Sequence, residues 1–187
     1  ANTTADDNIA VGYQAGDAVT TGARNIAMGS AAMGLATTGV DNVAIGHQAL
    51  DGAVAGADQN IAIGTNALGA SLTDDAHNNV AIGYASLDAN TGGLNNIGIG
   101  TNALTDNTTG DHNVALGFNA LADNSTAQAQ TALGTFAMSF NTTGSGNTGV
   151  GFEALRTNAT SNNNTALGAR ALLLTTAANN TAIGAYA

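Results

Sequence analysis

The chain has 187 residues, of which 44% are hydrophobic and only 9% charged, and it lacks Cys, Pro, Trp and Lys. Its net charge is −10, and Arg24, Arg156 and Arg170 are its only basic side chains. That balance excludes nucleic-acid binding and attraction to anionic lipid, which both need clustered Lys and Arg. No run approaches the roughly 20 apolar residues of a membrane span, so no membrane insertion is expected within this segment.

The first predicted element is the strand inside Asn8-Ile9-Ala10-Val11-Gly12. The same five-residue phrase returns at 25–29, 42–46, 60–64, 79–83, 96–100, 113–117, 130–134, 147–151, 164–168 and 180–184. Each copy reads amide, β-branched residue, Ala or Gly, large aliphatic, Gly. The usual spacing is 17 residues, with excursions to 18 and 19 around Gly64 and Gly83 and to 16 before Gly184. A constant short period is the signature of a repeat architecture. The apolar spacing of two within each phrase is that of a strand, not of a helix. After each phrase an Ala and a Leu or Met usually follow (Ala49-Leu50, Ala103-Leu104, Ala154-Leu155), with Ser86 and Gly16 as exceptions. A turn then comes at Thr37-Thr38-Gly39, Thr108-Thr109-Gly110 or Thr142-Thr143-Gly144. Each unit therefore reads strand, turn, short strand, turn.

Seventeen residues cannot bury a core alone, so units must stack. Parallel strands advance about 4.8 Å each, which makes eleven coils about 50 Å long. The fold expected is all-β, a parallel β-solenoid of eleven coils in a single repeat domain. Stacking turns Asn25, Asn42, Asn60, Asn96, Asn113 and Asn147 into a column of amides, and such ladders stabilise stacked strands. Gly46, Gly64, Gly100 and Gly117 form a second structural column. Between them runs a small-residue column that includes Ala44, Ala62, Ala81, Ala115, Ala132 and Ala166. If the Ile/Val face fills the coil, this column faces outward and is the candidate trimer interface. If the small face fills a thin coil, an Ile/Val stripe of roughly 500 Å2 lies outside, at the upper end of what a monomer exposes. Both arrangements favour self-association. A further period alternates bulky Tyr13, His47, Tyr84, Phe118 and Phe152 with small residues at the site after each Gly.

The phrase Asn-Val-Ala-Ile-Gly at 42–46 and 79–83 resembles the head repeat of trimeric autotransporter adhesins, whose YadA-like heads carry Asn-Ser-Val-Ala-Ile-Gly. Its longer form, Asn96-Ile97-Gly98-Ile99-Gly100-Thr101-Asn102-Ala103-Leu104 with Asn107-Thr108-Thr109-Gly110, is similar to repeats of phage tail fibres and related bacterial fibre proteins. The resemblance covers the whole chain. It implies a left-handed β-roll, a homotrimer, an extracellular, cell-surface or virion-fibre location, and attachment to a host or prey surface glycan or protein. Two departures stand out: the period is longer than that of the autotransporter head, and repeats eight to eleven carry Thr131, Thr148, Thr165 and Thr181 at the Ile/Val position.

The favoured function is thus a non-catalytic adhesive fibre head or spacer, read as a segment of a longer protein. The irregular stretches 51–59 and 70–78 are the candidate receptor loops, with Asp58, Gln59, Asp74, Asp75 and His77 as candidate contacts. Catalysis is not signalled: the chain has a single Glu, Glu153, and His47, His77 and His112 occupy three different repeat positions. No cofactor is implied. Calcium, which takes six to eight oxygen ligands, would fall to Asp6, Asp7, Asp41, Asp58, Asp74, Asp75 and Asp111, but solvated turn Asp is the favoured reading. Binding of ice or another planar surface is the rival function, through a Thr column that breaks at Val54-Ala55. The Asn-x-Thr triplets at Asn107, Asn124 and Asn141 read as repeat consensus, not as glycosylation sites.

Overall fold

The structure is a computed structural model and describes residues 6–52, 56–70, 72–73 and 76–187. Eleven three-residue strands follow one another: β1 (Ile9–Val11), β2 (Ile26–Met28), β3 (Val43–Ile45), β4 (Ile61–Ile63), β5 (Val80–Ile82), β6 (Ile97–Ile99), β7 (Val114–Leu116), β8 (Thr131–Leu133), β9 (Thr148–Val150), β10 (Thr165–Leu167) and β11 (Thr181–Ile183). They form one parallel sheet in strict sequence order. Like pairs with like throughout: Ile26 with Val43, Ala27 with Ala44, Met28 with Ile45. The chain is a parallel β-solenoid, and its period of about 17 residues is the length of one circuit.

The central residue of each strand points inward. Ala44, Ala62, Ala81, Ala115, Ala132 and Ala166 are all 0% exposed and belong to the core. The small-residue column therefore cannot be an interface between chains. It fills the coil's own interior, and the flanking aliphatics take the outer face. The reason is volume. Opposite the sheet stand Leu50, Leu68, Leu87, Leu104, Leu121, Met138 and Leu155, each 0% exposed, and a coil this narrow has no room for two facing layers of large side chains. Its two breaks at Gly98 and Gly149 follow the same logic. A Cβ at Gly98 would meet Ser86 Oγ at 2.7 Å, and one at Gly149 would meet Met138 Cγ at 2.8 Å. Ser86, the exception to the Ala after each phrase, donates to Gly98 O at 2.9 Å.

The expected second strand does not form. Ala49 and Leu50 are consecutive and both 0% exposed, whereas a strand sends neighbours to opposite faces. Gln48 and Leu50 instead adopt φ of 55° and 52°, and this alternating backbone turns both Ala49 and Leu50 inward. The left-handed conformation costs about 1 kcal/mol for a side chain such as Leu. Axial hydrogen bonds and Leu burial offset it: Leu50 N donates to Ala67 O at 2.9 Å and Gln48 N to Ser30 O at 3.0 Å.

The phrase glycines close each strand at a backbone conformation that side chains avoid. Gly100 has φ +132°, and a Cβ there would lie 2.5 Å from Gly117 O. Beside them the amide column works as anticipated, and the bonding is two-stranded. Asn42 N donates to Asn25 Oδ1 at 2.9 Å, while Asn25 Nδ2 reaches the turn carbonyl of Gly39 at 2.7 Å. The pattern repeats through Asn60, Asn96, Asn113 and Asn147. Gln130 keeps it with its longer amide, accepting from Asn147 N at 3.1 Å.

Candidate interaction surfaces

The outer face of the sheet is an aliphatic stripe. Its members include Ile9, Val11, Met28, Ile45, Ile61, Ile97, Leu116, Leu167 and Ile183, all exposed by at least 36%. The remaining aliphatics of the strands are half-buried by their neighbours along the axis. From β8 onward, Thr131, Thr148, Thr165 and Thr181 replace Ile or Val on one edge, so the stripe narrows to a single aliphatic column. Among the described residues nothing covers it.

The loop residues singled out in the sequence are engaged along the axis. Asp58 Oδ1 accepts from Val40 N at 2.8 Å, and Asp58 N donates to His77 Nδ1 at 3.1 Å. Both side chains are half-buried, while Gln59 is exposed at φ 58°. Asp111 does for Leu94 N what Asp58 does for Val40 N, at 3.0 Å. These carboxylates cap orphan backbone donors of the preceding coil, which is why Asp recurs in this loop. Asp41 instead pairs with Arg24 at 2.6 Å, and that guanidinium holds its carboxyl below the usual range. Asp74 and Asp75 lie outside the described residues, as do Val54 and Ala55. Among the described residues, no three His, Asp or Glu side chains gather to hold a metal ion. His47, His77 and His112 stand in three separate columns. Among the described residues no helix is long and apolar enough to cross a membrane.

The two threonines of the turn part company. Thr91, Thr108 and Thr142 turn their hydroxyls along the axis, donating to Thr108 O, Ser125 O and Ala159 O at 3.1, 2.9 and 3.0 Å. Their neighbours Thr109, Thr126, Thr143, Thr160 and Thr176 form an exposed column over five successive coils.

A second amide ladder escaped the sequence reading. Asn90, Asn107, Asn124, Asn141 and Asn158 are each 0% exposed. Asn107 Nδ2 donates to Asn90 Oδ1 at 2.9 Å and Asn124 Nδ2 to Asn107 Oδ1 at 2.7 Å. Each also closes its own turn, as Asn107 Nδ2 does on Gly110 O at 3.0 Å. Burial of this kind leaves the Asn-x-Thr triplets at Asn107, Asn124 and Asn141 no access for a glycan in the folded coil. The signal was in the sequence as the fixed distance of seven residues from each phrase Gly.

A third feature gathers residues from four columns. Phe118 and Phe136 meet edge to face at 5.3 Å, and Arg156 lies 5.1 Å from the ring centres of both Phe136 and Phe140. Arg170 stands 5.6 Å from Phe152 and 5.7 Å from Tyr186. Glu153, the single Glu, receives both guanidiniums at 2.5 Å. The same flank carries acids on earlier coils. Burial raises the carboxyls of Asp88 and Asp123 above the usual range, and each feels the charge of Asp106. No protein-family model matches this chain, and comparison with curated proteins and with solved structures gives no match either.

Proposed function

We propose that the chain is a non-catalytic fibre segment, an adhesive head or rigid spacer outside the cell or on a virion, that assembles as a homotrimer through its strand stripe. One observation carries the reading: an unbroken sheet of eleven strands presents an uncovered aliphatic stripe down its whole length. The stripe is about 50 Å long and about 10 Å wide until it narrows at β8, so its apolar area is within what the largest patch on a monomer reaches. Closed rotational symmetry lets several copies bury a continuous stripe of this kind on a common axis. The stoichiometry of three and the attachment role come from the resemblance of the repeat to trimeric adhesin heads. Host or prey surface glycan or protein is the partner class by the same analogy. The long repeats at 51–59 and 70–78 are proposed as receptor loops because insertions in regular repeats collect on a binding face.

The test places Lys at Ile61 and Ile97. Both positions are exposed, by 36% and 37%, so the coil should fold. The double variant is expected to lose association and keep its circular-dichroism spectrum. Association that survives both charges refutes the stripe as the seam. Replacing 70–78 with the 17-residue consensus turn is expected to lower attachment with folding unchanged; full attachment removes that loop from the reading.

A second reading has its own observation, the five-coil column of exposed Thr from Thr109 to Thr176. Repeated hydroxyls about 4.8 Å apart on a flat rod could register on ice or another planar lattice. A freezing-point hysteresis measurement decides it, and no hysteresis removes it.

A further inference from the structure

The cationic side chains of this acidic chain are not spread over it. Two of its three Arg, Arg156 and Arg170, face one buried carboxylate, with Arg156 NH1 on Glu153 Oε1 and Arg170 Nε on Glu153 Oε2, both at 2.5 Å. One carboxylate against two guanidiniums leaves one positive charge unpaired. Arg156 Nε is buried with no hydrogen-bond partner. Beside the two cations opens a cavity of about 370 Å3 lined by Phe140, Thr157, Leu173 and Leu174 together with Arg156, Arg170 and the Glu153 that both guanidiniums hold. That volume is in the range of small-molecule sites, and a mostly apolar wall with a few convergent polar groups is their usual composition. Phe140 stands in its wall, 44% exposed.

We propose that this cavity binds a terminal carboxylated sugar, of the uronic or sialic acid class. The sugar carboxylate takes the free guanidinium donors of Arg156 and Arg170, and the C–H face of its ring lies on Phe140. Guanidinium matches a carboxylate with two parallel hydrogen bonds, and the flat rings on either side already hold the guanidinium planes by cation–π contact. The size of the ligand follows from the neighbouring coils. Asp106 and Asp123 occupy the column of Phe140, and Asp88 that of Arg156, so a polyanion laid along the flank would be repelled where it left the cavity. One terminal acidic unit fits; a long acidic chain does not. The inference rests on the attachment reading only for its biological use, since binding itself needs no second chain.

Calorimetric titration with the methyl glycosides of galacturonic acid and of N-acetylneuraminic acid tests it, against methyl galactoside and inorganic phosphate. At least one acidic glycoside should bind, and the neutral sugar and phosphate should not. Arg170→Gln should weaken binding by about tenfold or more, the worth of a hydrogen bond to a charged group. Because Arg170→Gln disturbs the Glu153 cluster, Leu174→Trp serves as a second variant. Leu174 is 76% exposed, so an indole there blocks the cavity and spares the ion pairs. It should abolish binding with the melting curve unchanged. The proposal is overturned if neither acidic glycoside binds, if methyl galactoside or phosphate binds equally well, or if both variants bind as the parent does. Mass measured on the same samples separates the two readings. A monomer that binds the glycoside fails the fibre reading and keeps the site; an oligomer that ignores it does the reverse.

Discussion

Removing one amide from the middle of the primary ladder is the most informative perturbation of the fold. Asn96 is 0% exposed. Its Oδ1 is the acceptor for Asn113 N at 2.9 Å, and its Nδ2 donates to Gly110 O at 2.8 Å. In Asn96→Ala the Gly110 carbonyl keeps a partner, Asn107 Nδ2 at 3.0 Å. Asn113 N–H has no such substitute and becomes a buried, unsatisfied donor. That orphan costs roughly 1–3 kcal/mol, and loss of the second bond adds about 1 kcal/mol. The expected total is roughly 2–4 kcal/mol. For a chain of this size each kcal/mol lowers the melting midpoint by roughly 2–4 °C, so circular dichroism on heating should show a drop of roughly 5–15 °C. Native-state hydrogen exchange locates it: the Asn113 amide should lose protection before those of distant coils, because stability in a solenoid is a sum of local terms. Asn96→Leu restores the volume without the hydrogen bonds. If it melts within about 0.5 kcal/mol of the parent, the range of a neutral surface change, the ladder is packing and not bonding, and the reasoning fails.

Other outcomes follow from the same geometry. Gly100→Ala puts a Cβ 2.5 Å from Gly117 O at φ +132°; it should cost about 3 kcal/mol or more, read as a lowered urea midpoint. Gly16 leaves a gap of about 120 Å3 bordered by Ala10, Val19, Ala27 and Met33, in the column where later coils place Leu. Gly16→Leu should raise the unfolding free energy by about 1 kcal/mol, from about 2 kcal/mol of Leu burial less about 1 kcal/mol for holding a side chain at the left-handed backbone, read as a higher urea midpoint. Asp88 and Asp123 have carboxyls raised by burial. The folded state therefore holds their protons more tightly than the unfolded chain does. Stability from these groups is full below the ordinary carboxyl range and declines as pH rises through the raised folded values. Melting scans from pH 4 to 7 should show that decline, and Asp88→Asn with Asp123→Asn should flatten it.

Much of this was legible because the repeat samples each position eleven times. The strands, their register and the Asn25-to-Asn147 ladder follow from spacing alone. The direction of the strand faces does not. Ala44 and its flanking Val43 and Ile45 are all apolar, and nothing in a 17-residue period states how wide the coil is; only the burial of Leu50 in the same core as Ala44 decides it. The failed second strand has the same origin: Ala49-Leu50 looks like strand until the φ values of Gln48 and Leu50 turn both side chains inward. Asn107 and Asn124 were visible but looked like turn residues, because Asn-Thr-Thr-Gly is good turn chemistry as well as a ladder rung. The Arg156–Glu153–Arg170 cluster was harder to see: Glu153 and Arg170 share a column one period apart, but Arg156 comes from another column, and the left-handed backbone at Glu153 that brings it round is not stated by the spacing.

The central claim is that the aliphatic stripe is a seam between identical chains. Light scattering coupled to size exclusion measures it directly on the unmodified protein. The account predicts a solution mass near three times the 18.2 kDa chain, unchanged on moderate dilution. A mass of one chain at every concentration would contradict it, because the stripe would then be a surface the coil tolerates in water by itself.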